Sequence, residues 1–402
     1  MISHSLPLVP LSDIVTPVER LEVPTPGKVY RQLGVRLWGE GAYERESIDG
    51  SQTQYKTLSR TEVNDIVVNK IWARNGSVTV IPPNLAGCYV SSEFPTFIPI
   101  SKKLEPRWFY WFTKTKLCWQ QCDQKSQGTS GKNRIRPEKF LEIEIPLPPL
   151  EEQRRVVARV EELAGKIEEV RSLRQQAAKE AEALLQAARR RFIGEIPYVG
   201  WIPLSKYVKE IENGWSPSCD SRPATSQEWG VLKVGAVSFG AFDQHENKSL
   251  PTTLKPKLQY EVRPGDFLMS RANTLELVGA CAVVEKTRPM LMLSDKIFRF
   301  IFNKDASINP RYLDHVLKSP ALREQIQKSA SGTSPTMKNI SKEKVLRLLI
   351  PSHDIVEQQR IVAYLDRLQT KVEEMKRMRE QAIKELDALL PSILDKAFKG
   401  EL

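Results

Sequence analysis

Acid–base chemistry would fall to the four histidines, His4, His245, His315 and His353, and none stands beside a Ser or Cys in a nucleophile motif. The run Gly128-Thr129-Ser130-Gly131-Lys132 resembles a phosphate loop, but it lacks the first Gly of that pattern, five residues before Gly131, and the Ser or Thr after Lys132. Cys118 and Cys122 are spaced like half a zinc site, with no second Cys/His pair in ligand spacing. There is no Gly-rich S-adenosylmethionine loop and no Asp/Asn-Pro-Pro-Tyr/Phe motif of amino-methyltransferases; Pro82-Pro83-Asn84 and Pro148-Pro149-Leu150 do not match it. Loops suited to touching DNA are better represented. Lys70, Trp72, Arg74 and Asn75 form one group, and Arg271, Asn273 and Thr274 form another. Two Gly-Thr-Ser runs supply the rest: Ser130 with Lys132, Asn133 and Arg134, and Thr333 and Ser334 with Lys338 and Asn339. Arg reads guanine bidentately, Asn reads adenine, and Lys, Ser and Thr bind phosphates. For any one of these residues a solvated loop charge is a commoner reading than direct base contact. As a set repeated at matching places, they favour contact with DNA.

The elements that must position these loops are two long helices, written twice in the chain. Residues 152–185 and 357–390 align at a constant offset of 205 without a gap, with roughly half the positions identical. A repeat so long and so far apart signals two matching halves rather than a solenoid period. In the first copy Val156, Val160, Leu163, Ile167, Val170 and Leu184 fall at a/d spacing; in the second, Ile361, Leu365, Leu368, Val372, Met375, Leu386 and Leu389 do. Each copy thus exposes a seam that needs a partner, and the nearest partner for a coiled coil is the other copy. Arg174 and Arg379 share an a position, where they serve either as a register device or as stems that snorkel to solvent. Asp354 and Glu357 stand in capping-box spacing, and Pro391 is expected to kink the second helix or end it early.

The segments before the helices repeat more weakly. Asp65 through Lys70 matches Asp266 through Arg271, and Gly128-Thr129-Ser130 matches Gly332-Thr333-Ser334. Short β-type runs such as Ile66-Val67-Val68 and Ile297-Phe298-Arg299-Phe300, punctuated by Gly, Pro and Asn, predict mixed α/β domains in an α+β chain. The expected division is a domain over 1–147, a helix over 148–195, a second domain over 196–352 and a second helix over 353–402. Of the net charge of +11, the segments 1–150 and 196–353 carry +4 and +7, and the helices are together neutral. That distribution suits nucleic acid. The five cysteines, the absence of a leader-like start and the absence of a long apolar run predict a cytoplasmic protein outside the membrane.

The run Pro-Leu-Pro-Pro-Leu-Glu-Glu-Gln-Arg-Arg-Val-Val at 146–157, repeated as Ile-Pro and Glu-Gln-Gln-Arg-Ile-Val within 350–362, resembles the helix start of specificity subunits of type I restriction–modification systems. The resemblance covers essentially the whole chain. It departs at Asn64-Asp65, where Gly-Asp is usual, and at Ser352-His353, which replaces Pro-Pro. What it implies is a non-catalytic subunit whose two recognition domains each read half of a split duplex DNA target, with the helices packed as an antiparallel coiled coil that serves as spacer. Two methyltransferase subunits would dock on the helices and bring S-adenosylmethionine, and two motor-nuclease subunits could add ATP and Mg chemistry. The rival readings are a stand-alone methyltransferase or nuclease, disfavoured by the missing motifs, and a coiled-coil DNA-binding scaffold or regulator without enzyme partners.

Overall fold

Strand-forming β-branched and aromatic runs assemble two sheets of the same plan. The computed structural model describes residues 6–127, 133–194, 200–332, 334 and 337–402. They divide into two compact units, Met1–Arg174 with Glu380–Leu402, and Gln175–Arg379. In the first unit a four-stranded antiparallel sheet runs in the order Val78–Val80, Ile66–Val68, Thr96–Pro99, Val15–Val18. In the second the order is Cys281–Val283, Phe267–Ser270, Ile297–Phe302, Val208–Asn213. The matched stretches at Asp65 and Asp266 thus lead into the same inner strand of each sheet. Those strands are buried on both faces, which is why Ile66-Val67-Val68 and Phe267-Leu268-Met269 read as continuous apolar runs.

The departure at Asn64 leaves the turn unchanged. Asn64 adopts φ +70° and Gly265 φ +93°, both left-handed, a region Asn tolerates because its side chain is short and polar. The following carboxylates do the same work in each unit: Asp65 accepts from Arg20 at 2.6 Å, and Asp266 accepts from Arg299 at 3.3 Å.

Helices follow the sheets in matched positions. The first unit has α1 (Pro106–Phe112), α2 (Lys116–Gln124) and α3 (Pro137–Leu141), followed by α4 (Leu150–Arg189). The second has α5 (Pro310–Leu317), α6 (Pro320–Ser329) and α7 (Lys342–Leu346), followed by α8 (Ile355–Lys399). Cys118 and Cys122 are buried in α2 as part of the first core. Each compact unit takes one globular segment with parts of both long helices. Val156, Val157 and Val160 join Leu394, Ala397 and Phe398 in the first core, while Leu185 and Ala188 join Ile361, Leu365 and Val372 in the second.

The Glu-Gln repeat at the helix starts has a mechanical reason. Gln153 is fully buried; its amide donates to the carbonyls of Lys103 and Pro148 at 2.9 Å, and its Oε1 accepts the Glu105 N–H at 2.9 Å. Gln358 repeats this with Ser307, His353 and Asn309 at 3.0, 2.9 and 2.8 Å. One side chain thereby satisfies three backbone groups and fixes the long helix to its domain. Glu152 and Glu357 instead pair with Arg155 and Arg360 one turn on. Only the Asp354 half of the anticipated capping box forms, with Asp354 Oδ1 accepting the Glu357 N–H at 2.8 Å.

Within each unit the helix parts run antiparallel. In the first, Arg155 reaches the Leu402 carbonyl and Arg171 pairs with Asp387; in the second, Glu182 pairs with Lys376 and Arg189 with Gln369. Val156, Val160, Ile167, Ile361, Leu365 and Val372 are buried as the heptad reading expects, and Leu163, Leu368 and Leu386 are half-buried. Val170, Leu184, Met375 and Leu389 are exposed, which corrects that reading. Leu184 is 59% exposed and Leu185 only 3%. The helix does not follow a 3.5-residue period far enough: at ~100° per residue, 28 residues from Val156 fall ~80° short of the seam, and 29 overshoot it by only ~20°. Arg174 is exposed and Arg379 half-buried. A second correction concerns Pro391, which does not end the second helix but lies inside α8. Leu390, Ile393, Leu394, Ala397 and Phe398 pack on the first core around it, and that burial outweighs the missing N–H.

Candidate nucleic-acid interface

In each unit the fold brings together two loops that are far apart in sequence. In the first, the Lys70 carbonyl accepts the Ile135 N–H at 2.9 Å, seating Asn133 and Arg134 beside the segment that carries Lys70, Arg74 and Asn75. Arg134 also pairs with Glu93 at 3.5 Å, while the Lys70 N–H donates to the Glu93 carbonyl at 3.1 Å. The Asn69 carboxamide accepts the N–H groups of Ile71 and Trp72 at 3.1 and 3.3 Å, and a short 3₁₀ turn over Ala73–Asn75 closes on Gly76 at φ +77°.

The second unit repeats the arrangement. The Arg271 carbonyl accepts the Ile340 N–H at 3.0 Å, and Ala272-Asn273 pairs with Lys338-Asn339 as a two-stranded ribbon. Within it the side chains differ in freedom. Asn273 spends its carboxamide locally, donating to Ser238 Oγ at 3.0 Å and accepting the Thr274 N–H at 2.9 Å. Lys338 Nζ donates to the Gly332 carbonyl at 2.6 Å, and Arg271 reaches the Asp295 carbonyl at 3.4 Å. Ser334 is exposed. Ser130, Lys132 and Thr333 lie outside the described residues.

Two side chains that sequence reasoning missed, Trp38 and Trp119, stand next to the first of these loops. Trp38, Trp72 and Trp119 line a cavity of about 660 Å³ together with Arg74, Asn75, Lys116 and Gln120. Trp72 is adjacent enough to Arg74 for the sequence to announce it. Trp38 and Trp119 come from remote segments, and only the fold makes them neighbours.

A polar cluster in the second unit has the composition of an active site without its geometry. His315 is buried, with Nε2 2.8 Å from Asp366 Oδ1, which is half of a catalytic triad. Its other nitrogen faces the Arg189 guanidinium at 3.4 Å, where a triad would have its Ser or Cys. The nearby Cys281 thiol is pushed far up by burial, so it is held as a neutral thiol rather than a nucleophile. At the matched positions Trp111 stands for His315 and Leu394 for Arg189, and only the acid recurs, as Glu161 for Asp366, so the repeat does not preserve a site here. Among the described residues no cluster of His, Cys, Asp and Glu could hold a metal ion, and no helix is long and apolar enough to cross a membrane.

Comparison with known proteins shows what the chain is similar to. Residues 34–177 match the type I restriction modification DNA specificity domain. The type I restriction enzyme EcoEI specificity subunit of Escherichia coli is 38% identical over 146 residues, 36% of this chain and 24% of that one. The EcoKI specificity subunit of Escherichia coli K12 is 26% identical over 306 residues, 72% of this chain and 64% of that one. The chain thus spans about a quarter of the first relative and under two thirds of the second. The fold matches the HsdS subunit from Thermoanaerobacter tengcongensis with TM-score 0.62 at 24% identity, over 99% of this chain and 98% of that one. It also matches a chain solved in work on complex assembly and conformational transition of the type I R-M system, with TM-score 0.75 at 24% identity over 99% of both chains.

Proposed function

We propose that this chain, a member of the type I restriction–modification specificity-subunit family, reads a bipartite duplex DNA target, one half-site with each globular domain. The observation that carries the reading is the repeated pairing of two remote loops, Lys70–Asn75 with Asn133–Arg134 and Arg271–Thr274 with Lys338–Asn339, held in both units by the same backbone hydrogen bond. A basic loop pair on each half of an internal repeat suits a target with two half-sites, which need not be identical because the loops are not. The long helices set the gap between half-sites and dock methyltransferase subunits. Three matched positions on each helix support this: Val170, Leu173 and Leu184 are exposed on α4, and Met375, Met378 and Leu389 on α8. Exposed large apolar side chains repeated at the same places fit two copies of one partner.

In this mechanism the chain contributes position rather than bond-making. S-adenosylmethionine is bound by the partner methyltransferase, and ATP with Mg by a motor-nuclease subunit where one joins. The purified chain with S-adenosylmethionine and DNA is expected to transfer no methyl groups, and addition of the cognate methyltransferase is expected to start transfer. A methylome of the host supplies the target. Robust methylation by the pure chain, or a modified site with no split, overturns the reading. Alanine at Arg271 should relax one half-site and alanine at Arg74 the other, at a cost of ~1–3 kcal/mol for each base no longer read. Uniform weakening on every sequence would mark the residue as a phosphate ligand.

A further inference from the structure

Two large aromatic side chains of the first unit stand in solvent with no packing reason to do so: Trp38 is 54% exposed and Trp72 45%. The structure nevertheless holds them closely. Trp38, in the left-handed region at φ +57°, donates its N–H to the Asn75 carbonyl at 2.6 Å. Its ring meets Trp119 edge to face, with centroids 5.5 Å apart. Trp119 is anchored through Nε1 to the Thr113 carbonyl at 2.7 Å. Gly76 is required beneath it, because a Cβ there would lie 2.7 Å from Trp119 Nε1. The result is a cradle of about 660 Å³ with aromatic walls, within the size range of small-ligand sites. Arg74 and Lys116 line it without an ion pair among the described residues, Asn75 and Gln120 add amides, and Asp123 is the one acid.

We propose that this cradle receives a nucleobase of the bound DNA that has left its stack. The assignment rests on the DNA-specificity reading and adds a subsite to it. Aromatic faces stack on any base, Lys116 neutralises a flanking phosphate, and Arg74 and the amides can meet the exposed base edge. An apolar peptide would leave Arg74 and Lys116 unused. The cradle belongs to one half of the repeat only. Lys114 and Lys318 make matched bonds to the Gly39 and Gly240 carbonyls, which aligns Trp119 with Arg323, and the match of Lys70 to Arg271 aligns Trp72 with Asn273. Distortion is therefore confined to the half-site read by the first domain.

The test uses the full chain with a labelled ten-residue deoxythymidine single strand, read by anisotropy and tryptophan fluorescence, beside a labelled duplex of random sequence. The single strand should quench the tryptophans. Trp72→Ala should weaken single-strand binding by about 5- to 150-fold, the effect of one base–aromatic stack, with little change for the random duplex. Trp72→Phe should keep most of the single-strand affinity, and circular dichroism checks that each variant folds. Single-strand binding that survives Trp72→Ala, or equal weakening on both DNAs, overturns the cradle and leaves the DNA-specificity reading standing. Failure of methyltransferase co-purification with single-strand binding intact also overturns it, by assigning the cradle to a protein partner. A wild-type chain that binds neither DNA overturns the specificity reading itself.

Discussion

At the scale of single residues, the buried glutamines carry more of the architecture than any charged pair. Gln153→Ala would strand the Glu105 N–H and two carbonyls inside the first unit, and Gln358→Ala would do the same in the second. Each unsatisfied buried group costs ~1–3 kcal/mol, and such costs within one network do not add fully, so each variant should be destabilised by about 3 kcal/mol in chemical denaturation. A change below ~1 kcal/mol would show that water replaces the side chain. His353 gives a pH-dependent counterpart. Burial holds its imidazole below the usual 6.5, against the opposing pull of Glu357 and Asp354, and Nδ1 lies 2.6 Å from the Tyr312 hydroxyl. The unfolded chain binds this proton more readily than the folded one. The stability from neutral His353 is therefore complete above about pH 6.5 and declines as pH falls below it toward the depressed folded value. Denaturation midpoints at about pH 7.5 and 5.5 should differ in the native chain and differ less in His353→Gln; an unchanged difference would place the acid sensitivity elsewhere.

At the scale of elements, the long helices separate burial from presentation by one residue. Leu185 packs in the second core and Leu184 faces solvent, although both match a leucine in the other copy. Leu185→Asn should cost ~2–4 kcal/mol of stability through reduced apolar burial and an unpaired amide. Leu184→Asn should leave the melting temperature nearly unchanged and weaken methyltransferase co-purification. Reversal of the two effects would restore the heptad seam that the structure sets aside.

For the whole molecule, the decisive question is whether helix length sets the gap between half-sites. Inserting four residues after Gln175 adds about one turn, roughly 6 Å, and nearly restores the phase of the apolar face. DNA advances ~3.4 Å per base pair, so the preferred gap should grow by one or two base pairs while both half-sites stay the same. Selection from a random-spacer DNA library reads this directly. A folded insertion variant with the original gap would show that something other than helix length holds the half-sites apart, and altered half-sites would show that the helices take part in reading bases.

The sequence alone determined the duplicated plan and the two long helices, because local pattern and an ungapped helix repeat record them at each position. Asn64 could stand for Gly for the same local reason: left-handed φ is a property of one residue. Tertiary structure decided what depends on remote partners. Helical phase over many turns is set by packing against the opposite helix, so Leu185 replaced Leu184 in the core, and burial of Leu394 and Phe398 carried the helix through Pro391. The Trp38–Trp72–Trp119 cradle joins three segments that share no sequence spacing, and Asn273 is tied to Ser238 by a hydrogen bond that no motif announces. Local rules act over a few residues, whereas side chains from distant segments meet only once the sheet and helices have placed them.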